Sequence, residues 1–380
     1  MYNRNLQTEL LRLNNYFQVL VLTGPRQSGK TTLCKMAFPN YSYINLEDEI
    51  VRDEFAVRRK EFLMGKGCLI IDEAQNMPEI FSIIQVMVDE NPDLHYIITG
   101  SNNFSLMQNI TQSLAGRAAL LTLLPLSFSE LTDNDKSIGT DNIMIRGFYP
   151  GVIANEIPPQ DAYRQYYNTY LQRDIMQIMN IKNMDEFRRF VVLCAARVGT
   201  EFNAAGLSNE IGVSIHTIQS WINVLEASYI IFHLRPFYRN IGKRLTKKTK
   251  IYFYDSGLVC YLLGIRTSEQ LNTHPLRGEI FENMVVGDMI KNIYNKGDDN
   301  NLFFYRDKSQ HEVDVVQDDG LQLKAYEIKF AQIINTDFYK NLDYFRKLIG
   351  KDLISSQIIY TGDQELMSNE NGYINYLNIK

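Results

Sequence analysis

From residue 17 to residue 124, short and wholly apolar runs alternate with longer segments whose apolar positions recur at helical spacing. The runs fall at 17–23, 41–46, 68–71, 95–99 and 120–124. A run without polar alternation suits a strand covered on both faces, and helices between such strands make them parallel. The pattern therefore predicts an α/β, doubly wound parallel sheet. The polar stretch 132–137 breaks it, and turn signals at 148–151 and at Pro158 and Pro159 follow, which sets a first module at 1–150. Tyr163, Tyr166, Tyr167, Tyr170 and Leu171 then recur at helical spacing, as expected of a helix that buries an aromatic face and packs as a lid onto the sheet.

Two further modules are expected at 151–265 and 266–380. In the first of these, 204–211 reads as a short helix, 212–214 as a tight turn and 215–225 as a second helix opened by Ser214. A helix-turn-helix of this form would present His216, Thr217, Gln219, Ser220 and Asn223 to nucleic acid; the same pair also serves as a protein-docking or lid module. Arg235, Arg239, Lys243, Arg244, Lys247, Lys248 and Lys250 follow without an intervening acid, which suits either the wing of a winged helix on phosphates or a solvated hairpin. In 266–380 an amphipathic helix at 279–290 precedes a polar break at 295–301 and strands at 302–306, 312–316 and 325–330.

The first apolar run ends at Gly24-Pro25-Arg26-Gln27-Ser28-Gly29-Lys30-Thr31, which matches G-x-x-x-x-G-K-[ST] between a strand and a helix. Glycines at both ends let the backbone curl with positive φ, so that successive N–H groups point at phosphate oxygens. Lys30 would reach the β- and γ-phosphates, Thr31 would offer its hydroxyl to Mg²⁺, and the helix dipole would favour the anion. Residues Gly24 through Thr32 are thus the candidate nucleotide-binding set. The run 68–71 ends in Asp72-Glu73, where a parallel sheet binds ligands. Asp72 would orient Mg²⁺ and Glu73 would polarise the attacking water.

Thr99-Gly100-Ser101-Asn102 ends the fourth run, so Ser101 or Asn102 could hold the γ-phosphate or the water, or simply form a turn. Arg117 would sense nucleotide in its own subunit, act as an arginine finger on a neighbour, or lie solvated in its loop. In the last module Glu282 lies on the helix, Asp314 on a strand, and Glu327 and Lys329 share one face of another. Carboxylates converging on Mg²⁺ beside a lysine suit phosphodiester hydrolysis, although Glu-x-Lys is also a common ion pair on a strand.

Composition narrows the classes. At 380 residues and 45% hydrophobic content, two or three domains with real cores are expected. The four cysteines are dispersed and form neither a disulfide framework nor a zinc motif, so a reducing, cytoplasmic setting is expected. No basic-then-apolar leader opens the sequence and no apolar stretch approaches the ~20 residues of a bilayer span, so no membrane is expected as a partner. A net charge of −5 argues against a protein that coats nucleic acid, while leaving room for a local basic patch.

Thr23 through Thr32, Asp72-Glu73-Ala74-Gln75, Thr99-Gly100-Ser101, Ser113-Leu114-Ala115-Gly116-Arg117, Tyr170-Leu171-Gln172-Arg173-Asp174, Phe281-Glu282-Asn283, Glu312-Val313-Asp314 and Glu327-Ile328-Lys329 resemble the prokaryotic AAA-type ATPases with a C-terminal DUF4143 region. The likeness runs nearly the full length. It implies an AAA-type P-loop ATPase domain, a helical and winged-helix module, and a restriction-endonuclase-like PD-(D/E)xK domain. It implies ATPase roles for Lys30, Thr31, Asp72 and Glu73, with ATP and Mg²⁺ as cofactors, and a nucleotide-responsive Arg117. It also implies a nuclease-like core of Glu282, Asp314, Glu327 and Lys329, although Val313-Asp314 stands where that pattern has Pro-Asp. DNA or a protein is the expected partner, and an oligomer is possible.

Overall fold

The computed structural model describes residues 2–100, 113–174, 184–238, 248–368 and 370–379, with the backbone alone at 172–174. Residues through Leu126 form one compact unit with Ala227–Tyr229 and Ile293–Asp298; Ser127–Glu226, Ile230–Asn292 and Asp299–Lys380 form another.

In the first unit β1 (Val19–Thr23), β2 (Ser42–Asn45), β3 (Leu69–Asp72), β4 (Tyr96–Gly100) and β5 (Ala118–Thr122) make a parallel sheet in the order β2-β3-β4-β1-β5. Every residue of β1, β3 and β4 is buried. Alternate residues face opposite sides, as a strand requires. Val19, Val21, Ile71 and Ile98 pack with Phe55, Leu63, Ile80, Phe81 and Ile84 of α3 (Glu49–Met64) and α4 (Glu79–Glu90). Leu20, Leu22, Ile70 and Ile97 pack with Leu6, Leu10, Leu33 and Cys34 of α1 (Leu6–Leu13) and α2 (Lys30–Ala37). Each such side chain is worth ~1.5–3 kcal/mol when fully buried.

Strand β4 lies between β1 and β3, with Leu22 opposite Thr99 and Ile71 opposite Ile98. The end of β4 therefore separates the loop after β1 from the acids after β3.

The second unit holds a mixed sheet in the order β12-β11-β10-β9-β8-β6-β7. Its strands are β6 (Ile231–Pro236), β7 (Lys250–Phe253), β8 (Leu302–Arg306), β9 (Glu312–Asp318), β10 (Leu323–Lys329), β11 (Leu353–Tyr360) and β12 (Gly372–Asn375). The modules read at 151–265 and 266–380 thus share one sheet through the β6–β8 pair. Residues 127–150 belong to this unit because Phe128 packs on Phe148 and Tyr376, partners that no local composition break reveals.

The aromatic stripe is buried at Tyr163, Tyr166 and Tyr170, with Tyr163 donating to Asp255, Tyr166 accepting from Tyr149 and Tyr167 packing on Tyr261. The four cysteines are unbridged. Among the described residues no helix is long and apolar enough to cross a membrane.

Candidate nucleotide site and acidic cluster

The loop between β1 and α2 curls as its motif requires: Gly24, Gln27 and Gly29 have φ of 144°, 65° and 93°. A Cβ at Gly24 would lie 2.1 Å from the Leu123 carbonyl oxygen, so only glycine fits there. Arg4 fastens the loop from below, donating to the carbonyls of Ser28 and Leu124 at 2.6 Å each. Lys30 is 6% exposed and donates to the carbonyls of Gly24 and Pro25 at 3.0 and 2.9 Å. Burial lowers its pKa to about 8 against the weaker pull of Glu73 and Asp72. Among the described residues the Ser28 hydroxyl is buried without a partner, and such a donor inside a ring of backbone amides suits a phosphate oxygen.

Asp72 is 6% exposed and receives three hydroxyls, from Thr31 to Oδ2 at 2.6 Å, from Tyr43 to Oδ2 at 2.9 Å, and from Thr99 to Oδ1. Tyr43 belongs to this site although residue patterns alone do not single it out, and Thr99, which opens the polar cluster after the fourth run, bonds Asp72 directly. Thr99 arrives because β4 is inserted beside β3, and Tyr43 because β2 pairs with β3 on its other edge. Burial, and then the Asp72 charge, raises the Tyr43 pKa and keeps it a donor. Glu73 follows with left-handed φ of 52° and accepts from Gln75. A buried carboxylate, a threonine hydroxyl and a lysine beside an amide-lined loop fit Mg²⁺ and a nucleotide triphosphate.

Arg117 forms a bidentate pair with Asp89 of α4, at 2.7 and 2.9 Å, on the surface. Thr32 is exposed. Ser101 and Asn102 lie outside the described residues, as do Arg239, Lys243, Arg244, Lys247 and the side chains of Gln172, Arg173 and Asp174.

In the second unit Lys329 joins Asp314 and Glu327, its ammonium lying 3.3 and 2.5 Å from their carboxylates. Asp314 also accepts from the Ile328 amide at 2.8 Å. Glu282, on the Arg277–Tyr294 helix, is held by Lys250 at 3.4 Å and by the Tyr252 hydroxyl. Lys250 is 3% exposed and meets Glu312 at 2.5 Å. It was expected among the solvent-facing bases of a wing, but it heads the apolar strand β7 and is buried in this cluster.

Burial drives the Glu327 carboxyl well above its usual range, with the Asp314 charge adding to it, and lifts Glu282 to about 7. Burial also works to raise Asp314, but Lys329 and Lys250 outweigh it and the net shift is downward. The expected metal set of Glu282, Asp314 and Glu327 does not converge: among the described residues no three His, Cys, Asp or Glu side chains are placed to hold a metal ion.

The helix pair at Ala204–Ile211 and Ile215–Ala227 has the expected form. Gly212 takes φ of 89° in the turn, and Ser214 caps the second helix through the Thr217 amide at 3.0 Å. That helix buries Ile218, Trp221, Ile222 and Leu225 and leaves His216, Gln219 and Asn223 exposed.

Three family models match the chain: an AAA domain at residues 16–132, a domain of unknown function (DUF8612) at 139–269, and a domain of unknown function (DUF4143) at 277–379. The uncharacterized protein Rv2008c of Mycobacterium tuberculosis is 29% identical over 333 residues, covering 86% of this chain and 73% of that protein. An uncharacterized protein of Haemophilus influenzae is 21% identical over 392 residues, covering 93% and 92%. Among solved structures, the Walker-type ATPase PABY2304 of Pyrococcus abyssi aligns with a TM-score of 0.48 at 12% identity, covering 68% of this chain and 94% of that one. With an AAA domain matched on its N-terminal side and a DUF4143 domain on its C-terminal side, the chain is similar to AAA-type ATPases that carry a C-terminal DUF4143 domain.

Proposed function

We propose that the first unit binds and hydrolyses ATP with Mg²⁺, and that its nucleotide state controls a DNA-facing, nuclease-like second unit. The observation that carries the ATPase half is Asp72, a buried carboxylate that among the described residues accepts from neutral hydroxyls, level with the end of β4 beside the phosphate loop. The loop amides, Lys30 and the Ser28 hydroxyl hold the phosphates. Thr31 and Asp72 would hold the metal, whose charge favours phosphoryl transfer when bound. Glu73 orients the attacking water and takes its proton, with Gln75 keeping its carboxylate in place. Ser101 and Arg117 would respond to the γ-phosphate, Arg117 after leaving Asp89, either within its subunit or across an oligomer.

The exposed face of the Ile215–Ala227 helix, followed by the antiparallel β6–β7 pair, suits duplex DNA. The proximity of Asp314, Glu327 and Lys329 supports reading them as a nuclease-like core. The internal neutralisation of Glu282 and Glu312 by Lys250 favours a second reading, in which that core is inactive and the second unit binds a protein.

Steady-state ATP hydrolysis with and without duplex and single-stranded DNA separates these readings. Glu73→Gln is expected to lower turnover about 10²–10⁴-fold while ATP still binds, and Lys30→Ala to abolish binding. Stimulation by DNA that fades with salt supports the coupling. Turnover indifferent to DNA overturns it in favour of the protein-directed switch, and turnover that survives both substitutions overturns the ATPase assignment.

A further inference from the structure

Between the helix-turn-helix and β6 the backbone enters the first unit for three residues, Ala227–Tyr229, and leaves it again. Ala227 ends the second helix of the pair, and Ile231 opens β6. Between them Tyr229 takes a left-handed φ of 56°. An aromatic residue rarely adopts that conformation, and a backbone held there against its preference marks a side chain whose placement matters. The turn is fastened next door: the Ile230 amide donates to the Leu225 carbonyl at 2.9 Å, and the Ile230 carbonyl accepts from the Tyr254 amide at 3.1 Å.

What the turn delivers is a hydroxyl. Tyr229 is 7% exposed, and its oxygen lies 2.8 Å from the Thr23 hydroxyl. Thr23 donates its single proton to the Leu121 carbonyl at 3.2 Å, so the Tyr229 hydroxyl is the donor of the shorter bond. Burial raises the Tyr229 pKa and keeps that proton in place. Thr23 closes β1 and is followed directly by Gly24, where the phosphate loop begins. The Thr23 carbonyl accepts from the Leu123 amide at 2.8 Å, and the Gly24 carbonyl accepts from Lys30 at 3.0 Å. One hydrogen bond thus separates Tyr229 from the root of the loop, and that root holds the ammonium that would meet the phosphates.

We propose that Tyr229 is a positioning residue of the nucleotide site, delivered by the tail of the helix-turn-helix, and that nucleotide occupancy is felt at the end of that helix through its bond to Thr23. This rests on the ATP-binding reading of the first unit and names one residue that would carry the coupling. The hydroxyl touches no reacting atom. It fixes Thr23 against β5, and through Thr23 the direction in which Gly24 leaves the sheet. Linkage makes the effect reciprocal: a bond that favours the nucleotide-binding loop is itself favoured by nucleotide, which steadies the turn that presents it.

Calorimetric titration of the full chain with the non-hydrolysable β,γ-imido analogue of ATP and Mg²⁺ tests this on the parent, Tyr229→Phe, Thr23→Val and the double variant. Each single substitution keeps shape and removes one hydroxyl, and each is expected to weaken binding about 3–10-fold, the range of one buried hydrogen bond. The double variant should bind no worse than the weaker single, because both changes remove the same bond. In hydrogen exchange the analogue should slow the Ile230 amide in the parent and not in Tyr229→Phe. A Tyr229→Phe protein with a lowered urea midpoint and parental affinity would have lost only a structural hydroxyl, and that result overturns the proposal. Losses that add in the double variant, or Ile230 exchange that ignores nucleotide in the parent, overturn it as well. A parent chain that binds no nucleotide overturns the ATP-site reading and this assignment together, whereas a binding parent with unaffected variants overturns this assignment alone.

Discussion

Two buried sites in this chain combine lysine with carboxylate, and they do so in opposite ways. In the first unit Lys30 and Asp72 are not paired: the ammonium donates to backbone carbonyls and the carboxylate accepts from the hydroxyls of Thr31, Tyr43 and Thr99. Neutral partners satisfy the geometry without neutralising the charge, so both charges stay available to a ligand. In the second unit Lys250 and Lys329 bond directly to acids, and the charges close on one another. The pKa shifts follow the same division. Burial dominates at Lys30 and lowers it to about 8. At Lys250 burial also works to lower the value, but the Tyr252, Glu282, Asp314 and Glu312 charges outweigh it and the net shift is upward. A buried lysine is thus a sign of ligand binding when its partners are neutral and of internal architecture when they are acids.

The sharpest break of this comparison is functional. Lys30→Ala should lower ATP turnover by about 10²–10³-fold or more, as when one preorganised charge donor is lost, while Lys329→Ala leaves it within about two-fold; steady-state kinetics on both variants checks this. Next is stability. Lys250→Met should destabilise the protein by about 3–5 kcal/mol in urea unfolding, because the buried ammonium that Glu282 and Glu312 share is lost.

A smaller effect sharpens the description of Asp72. Thr99→Val, which keeps shape and removes the hydroxyl, should cost about 10-fold in kcat at saturating Mg²⁺, and Tyr43→Phe somewhat less, with unfolding curves near the parent's. The smallest belongs to the exposed Arg117–Asp89 pair. Asp89→Ala should leave the unfolding midpoint within replicate scatter, since an exposed ion pair contributes little.

Much of this was legible in the sequence where local patterning decides structure. The strand at 302–306 and the helix at 204–211 stand where apolar spacing put them, and the phosphate loop stands where its glycines did. What escaped local reading is what strand order assembles. Thr99 and Tyr43 reach Asp72 only because β4 and β2 flank β3, and no spacing along the chain encodes that order. Lys250 looked like one more base in a basic run. The signal that distinguishes it is the apolar Ile251-Tyr252-Phe253 it heads, since a lysine at the start of a fully buried strand needs acids from elsewhere. The second unit also gathers residues 127–150 through long-range aromatic contacts, which no break in composition announces.

The claim that Lys30 is held open rather than paired is tested most directly by urea unfolding of nucleotide-free Lys30→Met across pH. A lysine whose folded pKa lies below its unfolded value binds fewer protons when folded, so it destabilises the native state below pH 8 and stops doing so as pH rises toward 10.5. Replacing it should therefore stabilise the protein at pH 7 by up to about 3 kcal/mol, a gain that disappears as the pH is raised from 8 to 10.5. A loss of stability at pH 7 of the size expected for Lys250→Met would mean that Lys30 is neutralised within the fold, and the contrast between the two sites would fall.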